Sequence, residues 1–383
     1  MHILHCYKTA LPLTMGGAEQ VIHHIATGCL PYGLNSTVIA FAPQKKIDEI
    51  NYKGYKIVVV PADFEYASTP ISFKGIQVFR ELSRSADIIH YHYPYPWMDI
   101  LHLMSNTKKC SVLTYHSDIV KQKYLSIIYH PIKKIFLNQM DAIISTSPSY
   151  IHGSVDLQKF KSKLHCIPLG LDEQNYHPLL EDNLIKWRAQ LPTRFLLFIG
   201  VFRYYKGLNY LFEALKDLDI PIVLIGDGPE KEHLKELEKC YKLKNIYFLG
   251  ELADNDKNAI LKLSSGVILP SCLRSEAFGL TLVEGSMFGK PLISCEIGTG
   301  TSYINLHLKT GWVVPPADVL ALKTALQEWY STPKLAQEFG KNARLRYEEY
   351  FQSKNMVSSY IELYQSLHKN KPVTNRRFNI ARA

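Results

Sequence analysis

The chain has 383 residues, a formal net charge of +9 and an apolar share of 46%, which is ordinary for a globular protein. At that length a single hydrophobic core is outgrown and two domains are expected, while no apolar run approaches the roughly 18 residues of a spanning helix. Seven cysteines, at 6, 29, 110, 166, 240, 272 and 295, are odd in number and scattered, with no C-x-x-C pair to suggest a disulfide framework or a zinc site.

Residues 2–7 form a short apolar strand rather than the basic n-region and long apolar core of a secretory leader, so a cytoplasmic location is expected. Met15-Gly16-Gly17-Ala18-Glu19 follows, ahead of a helical stretch at 20–26. Adjacent glycines let the backbone approach a phosphate with no Cβ in the way; a tight surface turn explains Gly16-Gly17 about as well. Strand-like runs at 36–41, 56–60, 88–92, 111–115, 142–146 and 163–167 alternate with helix-capable stretches, which argues for a parallel sheet with helices on both faces. His116 and Asp118 come directly after the run at 111–115. Then Lys121, Lys123, Lys133 and Lys134 surround Tyr124, Leu125, Ile127, Ile128, Tyr129, Ile132, Ile135 and Phe136, an apolar-basic stretch broken by Pro131. Such a surface suits an anionic leaflet, and it equally suits a core helix with a solvated lysine face.

Residues 168–191, with Gly170, Pro178 and an acidic pair, read as a linker. Strands at 195–199, 222–225, 246–249, 267–269, 291–294 and 312–314 then repeat the first plan, so two Rossmann-like domains facing one another are expected. The first of these strands leads into Arg203 and Lys206, two cations at a strand's C-terminal edge; Arg offers a planar fork to phosphate oxygens and Lys a point charge. A solvated loop pair is the bland alternative. The strand ending at Ile225 runs into Gly226-Asp227-Gly228-Pro229-Glu230, again a strand, a glycine turn and a helix. Fifteen histidines invite a metal, yet no H-E-x-x-H or clustered His/Asp set is present and no metal is expected.

The most informative stretch is Glu276-Ala277-Phe278-Gly279-Leu280-Thr281-Leu282-Val283-Glu284, after the apolar run ending at Pro270. A helix opening near Leu280 aims backbone N–H groups and a positive dipole end at one point, where an anionic phosphate fits. Glu276 belongs in the loop ahead of that helix and Glu284 one turn inside it, each in reach of hydroxyls beside a bound diphosphate. The alternative makes Glu276 a complement to the helix N-terminus and Glu284 a solvated helix residue. The last helical pattern covers 356–367, and the tail through Arg376, Arg377 and Arg382 is either a lipid contact or disorder.

These segments, together with Phe248-Leu249-Gly250 and Pro270-Ser271, occur in the order seen in retaining GT-B glycosyltransferases of the large family-four type. The resemblance covers essentially the whole chain and is strongest from 195 to 318. Residues 115–123, 145–150, 167–172 and 296–302 are further similar to bacterial enzymes that add mannose or D-rhamnose to O-antigen and related polysaccharides.

The resemblance implies an α/β GT-B fold, with two Rossmann-like doubly wound domains facing across a deep cleft. Residues 1–170 would form the acceptor side and 171–354 the nucleotide-sugar domain, with a terminal helix in 355–383 crossing back onto the first. It assigns donor-sugar hydroxyls to Glu276, ribose hydroxyls to Glu284, the base to the backbone at Leu252, and the donor sugar's surroundings to His116. Arg203, Lys206, Gly17 and the amides near Gly279 and Leu280 would meet the leaving diphosphate; Gly16, Asp227, Gly228 and Phe278 complete the donor set, and Asp118 faces the acceptor. Cations replace a divalent ion in this scheme, so no cofactor is expected. Front-face attack, in which the departing phosphate oxygen takes the acceptor's proton, needs no separate general base. The expected partners are a nucleotide-sugar donor, with GDP favoured and UDP as the alternative, a lipid-linked saccharide, and the inner membrane face through residues 121–136. A nucleotide-sugar epimerase or hydrolase is the rival enzyme class. An inactivated sugar-binding scaffold ranks low because the charged set is intact, and nucleic acid is not expected, since no motif interleaves aromatics with cations.

Overall fold

Ten strands come from the first part of the chain: β1 His2–Cys6, β2 Asn35–Ala42, β3 Asp48–Tyr52, β4 Tyr55–Pro61, β5 Phe64–Tyr66, β6 Thr69–Ile71, β7 Ile88–Tyr93, β8 Cys110–Tyr115, β9 Ala142–Ser145 and β10 Leu164–Cys166. The computed structural model describes residues 1–14, 16–118, 123–176 and 179–369, and the side chains of all of these but 123–128. Two units divide the chain, Met1–Leu169 with the segment from Ser353, and Gly170–Gln352.

In the first unit the sheet order is β10-β9-β8-β7-β1-β2-β4-β3, and every pairing is parallel except β3 with β4. All six residues of β7 are buried, as a strand covered on both faces requires. The order reverses direction between β1 and β7, so the loops after these strands diverge at a switch point where open α/β sheets bind ligands. The helix Gly17–Cys29 buries Val21, Ile22, Ile25 and Cys29, and the helix Ser353–His368 lies so close to it that a Cβ on Gly28 would stand 2.5 Å from Val357.

Two hairpins escape the alternation pattern of the sequence. β3 follows its exposed edge and turns into β4 through Lys53 and Gly54, both at positive φ; β5 and β6 turn through Ala67 and Ser68, also at positive φ. Neither turn carries the Asn-Gly or Asp-Gly pair that marks such hairpins in sequence.

The second unit holds β11 Leu196–Ile199, β12 Ile222–Ile225, β13 Ile246–Gly250, β14 Gly266–Leu269, β15 Leu292–Cys295 and β16 Gly311–Val314. They form a wholly parallel sheet in the order β13-β12-β11-β14-β15-β16, whose switch point lies between β11 and β14. Both units are therefore Rossmann-like, and the fold class is α/β.

Two local expectations are corrected. Residues 168–191 are not a linker: Glu173–Tyr176 is a helical turn, and Glu181–Gln190 is a helix whose acidic pair occupies its first turn, where the dipole favours carboxylates. Trp187 is buried there and its indole N–H donates to Asp256 at 2.6 Å; Pro178 lies outside the described residues. Pro131 does not break the apolar-basic stretch, because the helix Lys123–Gln139 runs through it and forgoes only the bond a proline nitrogen cannot give. Along that helix Lys133 pairs with Asp156 at 2.5 Å, Tyr129 donates to Asp99, Phe136 is buried and Ile135 exposed. Lys121 and the basic tail at 376–382 lie outside the described residues, as do the side chains of 123–128. Among the described residues no helix is long and apolar enough to cross a membrane.

Candidate active site

The loops after β11 and β14 are drawn together by a glycine. Gly207 has φ +68, and a Cβ there would stand 2.1 Å from the Pro270 carbonyl oxygen. The Cys272 N–H donates to the Tyr205 carbonyl at 2.9 Å across the same seam. This approach sets the Lys206 ammonium 2.5 Å from Glu276 Oε2, with each side chain only 12% exposed, and the Ser271 hydroxyl donates to the same oxygen at 3.1 Å. Glu276 Oε1 accepts nothing among the described residues. Burial by itself would lower the Lys206 pKa, but the Glu276 charge outweighs it and the net shift is upward, so the ammonium stays charged.

The helix Leu280–Met287 opens at Gly279, which lies at φ 90 and ψ 61. No side chain caps this end, and the N–H groups of Gly279, Leu280 and Thr281 donate to nothing among the described residues. The Thr281 hydroxyl donates to the Ile199 carbonyl at 3.0 Å, which seats the first turn against the end of β11. An uncapped helix N-terminus at a sheet switch point is suited to an anion. Glu276 sits in the loop ahead of this helix and Glu284 inside it. Glu284 is 8% exposed; its Oε1 accepts from the Tyr176 hydroxyl at 2.9 Å and from Lys257 at 3.2 Å, while Oε2 accepts from nothing among the described residues. Burial, and then Glu284, push the Tyr176 phenol up, so it remains a donor.

The other donor-side candidates are placed differently. Gly228 is a packing glycine, since a Cβ would lie 2.5 Å from the Phe202 carbonyl oxygen, and Phe202 N–H donates to Asp227 O at 2.8 Å. The Asp227 carboxylate accepts from the Gly228 N–H at 2.7 Å and pairs with Lys231, which holds it below the usual carboxylate range. Arg203 is exposed and forms no ion pair among the described residues. Phe278 is buried edge-on to Phe351, and Leu252 is half-buried just after β13.

Gly16, Gly17, His116 and Asp118 belong to the first unit. Gly16 precedes the helix Gly17–Cys29, whose first turn holds the buried Glu19, bonded by the Thr14 hydroxyl at 3.2 Å. The Asp118 carboxylate accepts from the Tyr115 hydroxyl at 2.9 Å, and its N–H donates to the Tyr150 hydroxyl at 2.7 Å. It lines a cavity of about 310 Å³ with Tyr115, Tyr129, His130, Lys133 and Asp156. His116 follows β8, donates its N–H to the Tyr93 carbonyl, and has Nε2 3.0 Å from His92 Nδ1. Burial lowers its pKa to about 4, so the imidazole is neutral at pH 7.

Two family models divide the chain, "Glycosyltransferase Family 4" over residues 15–175 and "Glycosyl transferases group 1" over residues 181–346. The chain is 42% identical to O-antigen chain mannosyltransferase C of Escherichia coli, over 97% of its own length and all of the relative's. The chain belongs to the family-four glycosyltransferases. D-rhamnosyltransferase WbpZ of Pseudomonas aeruginosa is also 42% identical, with 92% of each chain covered. Among solved structures, sucrose-phosphate synthase of Thermosynechococcus elongatus superposes with a TM-score of 0.79 at 19% identity, covering 97% of this chain and 100% of that one. Anabaena HepE in complex with UDP superposes with a TM-score of 0.77 at 18% identity, over 96% and 100%. These two share the GT-B fold.

Sequence reasoning singled out Lys206 and Glu276 in this glycosyltransferase but not their direct pairing, and it missed Ser271, Tyr176 and Lys257 as partners of the two acids. It also missed His5, His90 and His92, whose side-chain nitrogens gather within 4.8 Å of one another. Their signal was present: in a parallel sheet His90 and His92, two apart on β7, must share one face, and the register sets His5 opposite His90.

Proposed function

We propose that this glycosyltransferase moves mannose or D-rhamnose from a GDP donor onto a lipid-linked saccharide in O-antigen synthesis, retaining the anomeric configuration and using no divalent ion. The names of the two relatives at 42% identity support the sugar and the polysaccharide. The observation that carries the site is the buried Lys206–Glu276 pair at the switch point.

In this reading the diphosphate takes the charge of Lys206 and Arg203 and the open amides at Gly279 to Thr281, next to Phe278. Glu276 Oε1 accepts from a sugar hydroxyl, Glu284 Oε2 from the ribose, and the backbone at Leu252 meets the base. Asp227 and Gly228 shape the turn. The acceptor, oriented by Asp118, attacks the anomeric carbon; the bond to the β-phosphate oxygen breaks, its electron pair stays on the phosphate, and that oxygen takes the acceptor proton. His116 donates to a hydroxyl of the sugar as positive charge builds on the ring. The enzyme works at the cytoplasmic membrane face, with the stretch 121–136 as its contact through exposed side chains such as Lys134 and Ile135.

A thermal-shift panel of GDP, UDP, ADP and their sugars tests the donor: GDP and GDP-mannose raise the midpoint, whereas a response to UDP alone reassigns the base. EDTA leaves the transfer rate unchanged; a loss restored by magnesium refutes metal independence. Product formed from donor without acceptor favours the epimerase or hydrolase reading.

A further inference from the structure

One face of the first unit's sheet carries a cluster of polar side chains among apolar ones such as Val38 and Val112. The register pairs His5 with Val38 on β2 and with His90 on β7, and His92 with Thr114 on β8, so Ser36, His5, His90, His92, Thr114 and His116 all share that face. Along it the Ser36 hydroxyl is 3.4 Å from His5 Nε2, His5 Nδ1 is 3.2 Å from His92 Nε2, and His92 Nδ1 is 3.0 Å from His116 Nε2. The His92 and His116 rings are 17° from parallel. His90 belongs to a separate ladder, in which Nε2 meets Thr114 at 2.7 Å and Nδ1 meets Tyr364 at 2.7 Å.

A neutral imidazole has one donor and one acceptor nitrogen, so three linked rings can be satisfied in only two ways, all pointing toward His116 or all pointing away. Ser36 decides between them. It is buried, and His5 Nε2 is the sole acceptor of its hydroxyl among the described residues. Were His5 to donate to Ser36, the hydroxyl proton would be left buried and unmade. The chain therefore runs from Ser36 to His5, from His5 Nδ1–H to His92, and from His92 Nδ1–H to His116 Nε2. His116 Nδ1, which has no partner among the described residues, carries the remaining proton.

We propose that Ser36, His5 and His92 form a hydrogen-bonded chain that locks His116 in one neutral tautomer and presents its Nδ1–H as a donor, making His92 and His5 positioning residues. The inference rests on the reading that His116 faces the donor sugar. A metal held by His5, His90 and His92 is the competing arrangement. It would take one nitrogen of the buried His90 away from Thr114 or Tyr364, and it would need a nitrogen of His5 and of His92 that the chain uses for its own bonds.

The test is a two-bond ¹⁵N–¹H correlation spectrum of the full chain labelled at histidine, read with transfer kinetics. Wild-type His116 shows an acceptor-type Nε2 and a protonated Nδ1. His92→Phe lets both tautomers of His116 populate and lowers kcat roughly tenfold, the equivalent of one hydrogen bond, with donor KM within about twofold. His92→Asn, whose amide N–H occupies the Nδ1 position, restores both readouts; Ser36→Ala tests the far end if His92→Phe does not fold. A protonated Nε2 on wild-type His116, a His116 spectrum indifferent to His92→Phe and Ser36→Ala alike, or zinc bound stoichiometrically by His5 and His92 overturns the chain. Full transfer activity in His116→Ala instead refutes the placing of His116 at the sugar, and leaves the tautomer result standing.

Discussion

Lys206 does two things that a single substitution separates poorly, because its ammonium balances a buried carboxylate and, in the proposed reaction, meets the leaving phosphate. Lys206→Met removes both, and transfer is expected to fall roughly 100- to 1,000-fold in kcat, in the range for losing one preorganised electrostatic donor. Glu276 left alone would also lower the melting midpoint. The double variant Lys206→Met with Glu276→Gln separates the effects: it recovers midpoint without recovering activity, and an active double variant would show that Lys206 is only a structural counter-ion. Glu284 calls for a different outcome. In the proposed site Glu284 holds the ribose, which does not change in the reaction, so Glu284→Gln weakens ground and transition states alike and raises donor KM roughly tenfold at near-constant kcat. A fall in kcat at unchanged KM would move Glu284 out of the donor-binding role.

At the scale of elements, the loop after β11 is held by Gly207, where two penalties coincide. An alanine there meets the Pro270 carbonyl and also keeps a left-handed backbone; Gly250 has φ +70 as well, yet nothing lies within 4 Å of its Cβ position. Gly250→Ala therefore reports backbone strain alone, about 1–2 kcal/mol. Gly207→Ala is expected to cost distinctly more and to disable transfer by moving Lys206, and equal melting midpoints for the two variants would contradict that. What was legible in sequence follows from the same local physics. The parallel strands of both sheets are readable because buried parallel strands are short apolar runs between turns, and the helix after Gly279 because a glycine and an acidic neighbour announce it. The helix Glu181–Gln190 reads as a linker in sequence because its one buried anchor, Trp187, gives no periodic stripe. The Lys206–Glu276 pair could not be read, since 70 positions separate the two and only the adjacency of β11 and β14 joins them.

The whole molecule carries a consequence of housing so many imidazoles in one sheet. Burial, and then the neighbouring His2, lower the His5 pKa to about 3; burial lowers His116 to about 4; His90 is held well below the ordinary value by burial and then by His5 and His116, and His92 by burial and then by His90, His116 and His5. Tyr7, Thr114, Tyr360 and Tyr364 pack on these rings, and none of them ionises between pH 4 and 7. The unfolded chain binds protons at these histidines from about pH 6.5 downward, whereas the folded unit refuses them until near pH 4 or lower. Depressed folded values stabilise the fold above pH 6.5, and that contribution drains away as the pH falls, by up to about 1.4 kcal/mol per pH unit for each histidine. The melting midpoint is therefore expected to drop between pH 7 and pH 5. Hydrogen exchange, corrected for its intrinsic pH dependence, locates the loss: amides of β1, β7 and β8 lose protection, while those of β11 and β14 change less. Equal loss in both sheets would place the acid sensitivity elsewhere than in the buried histidines.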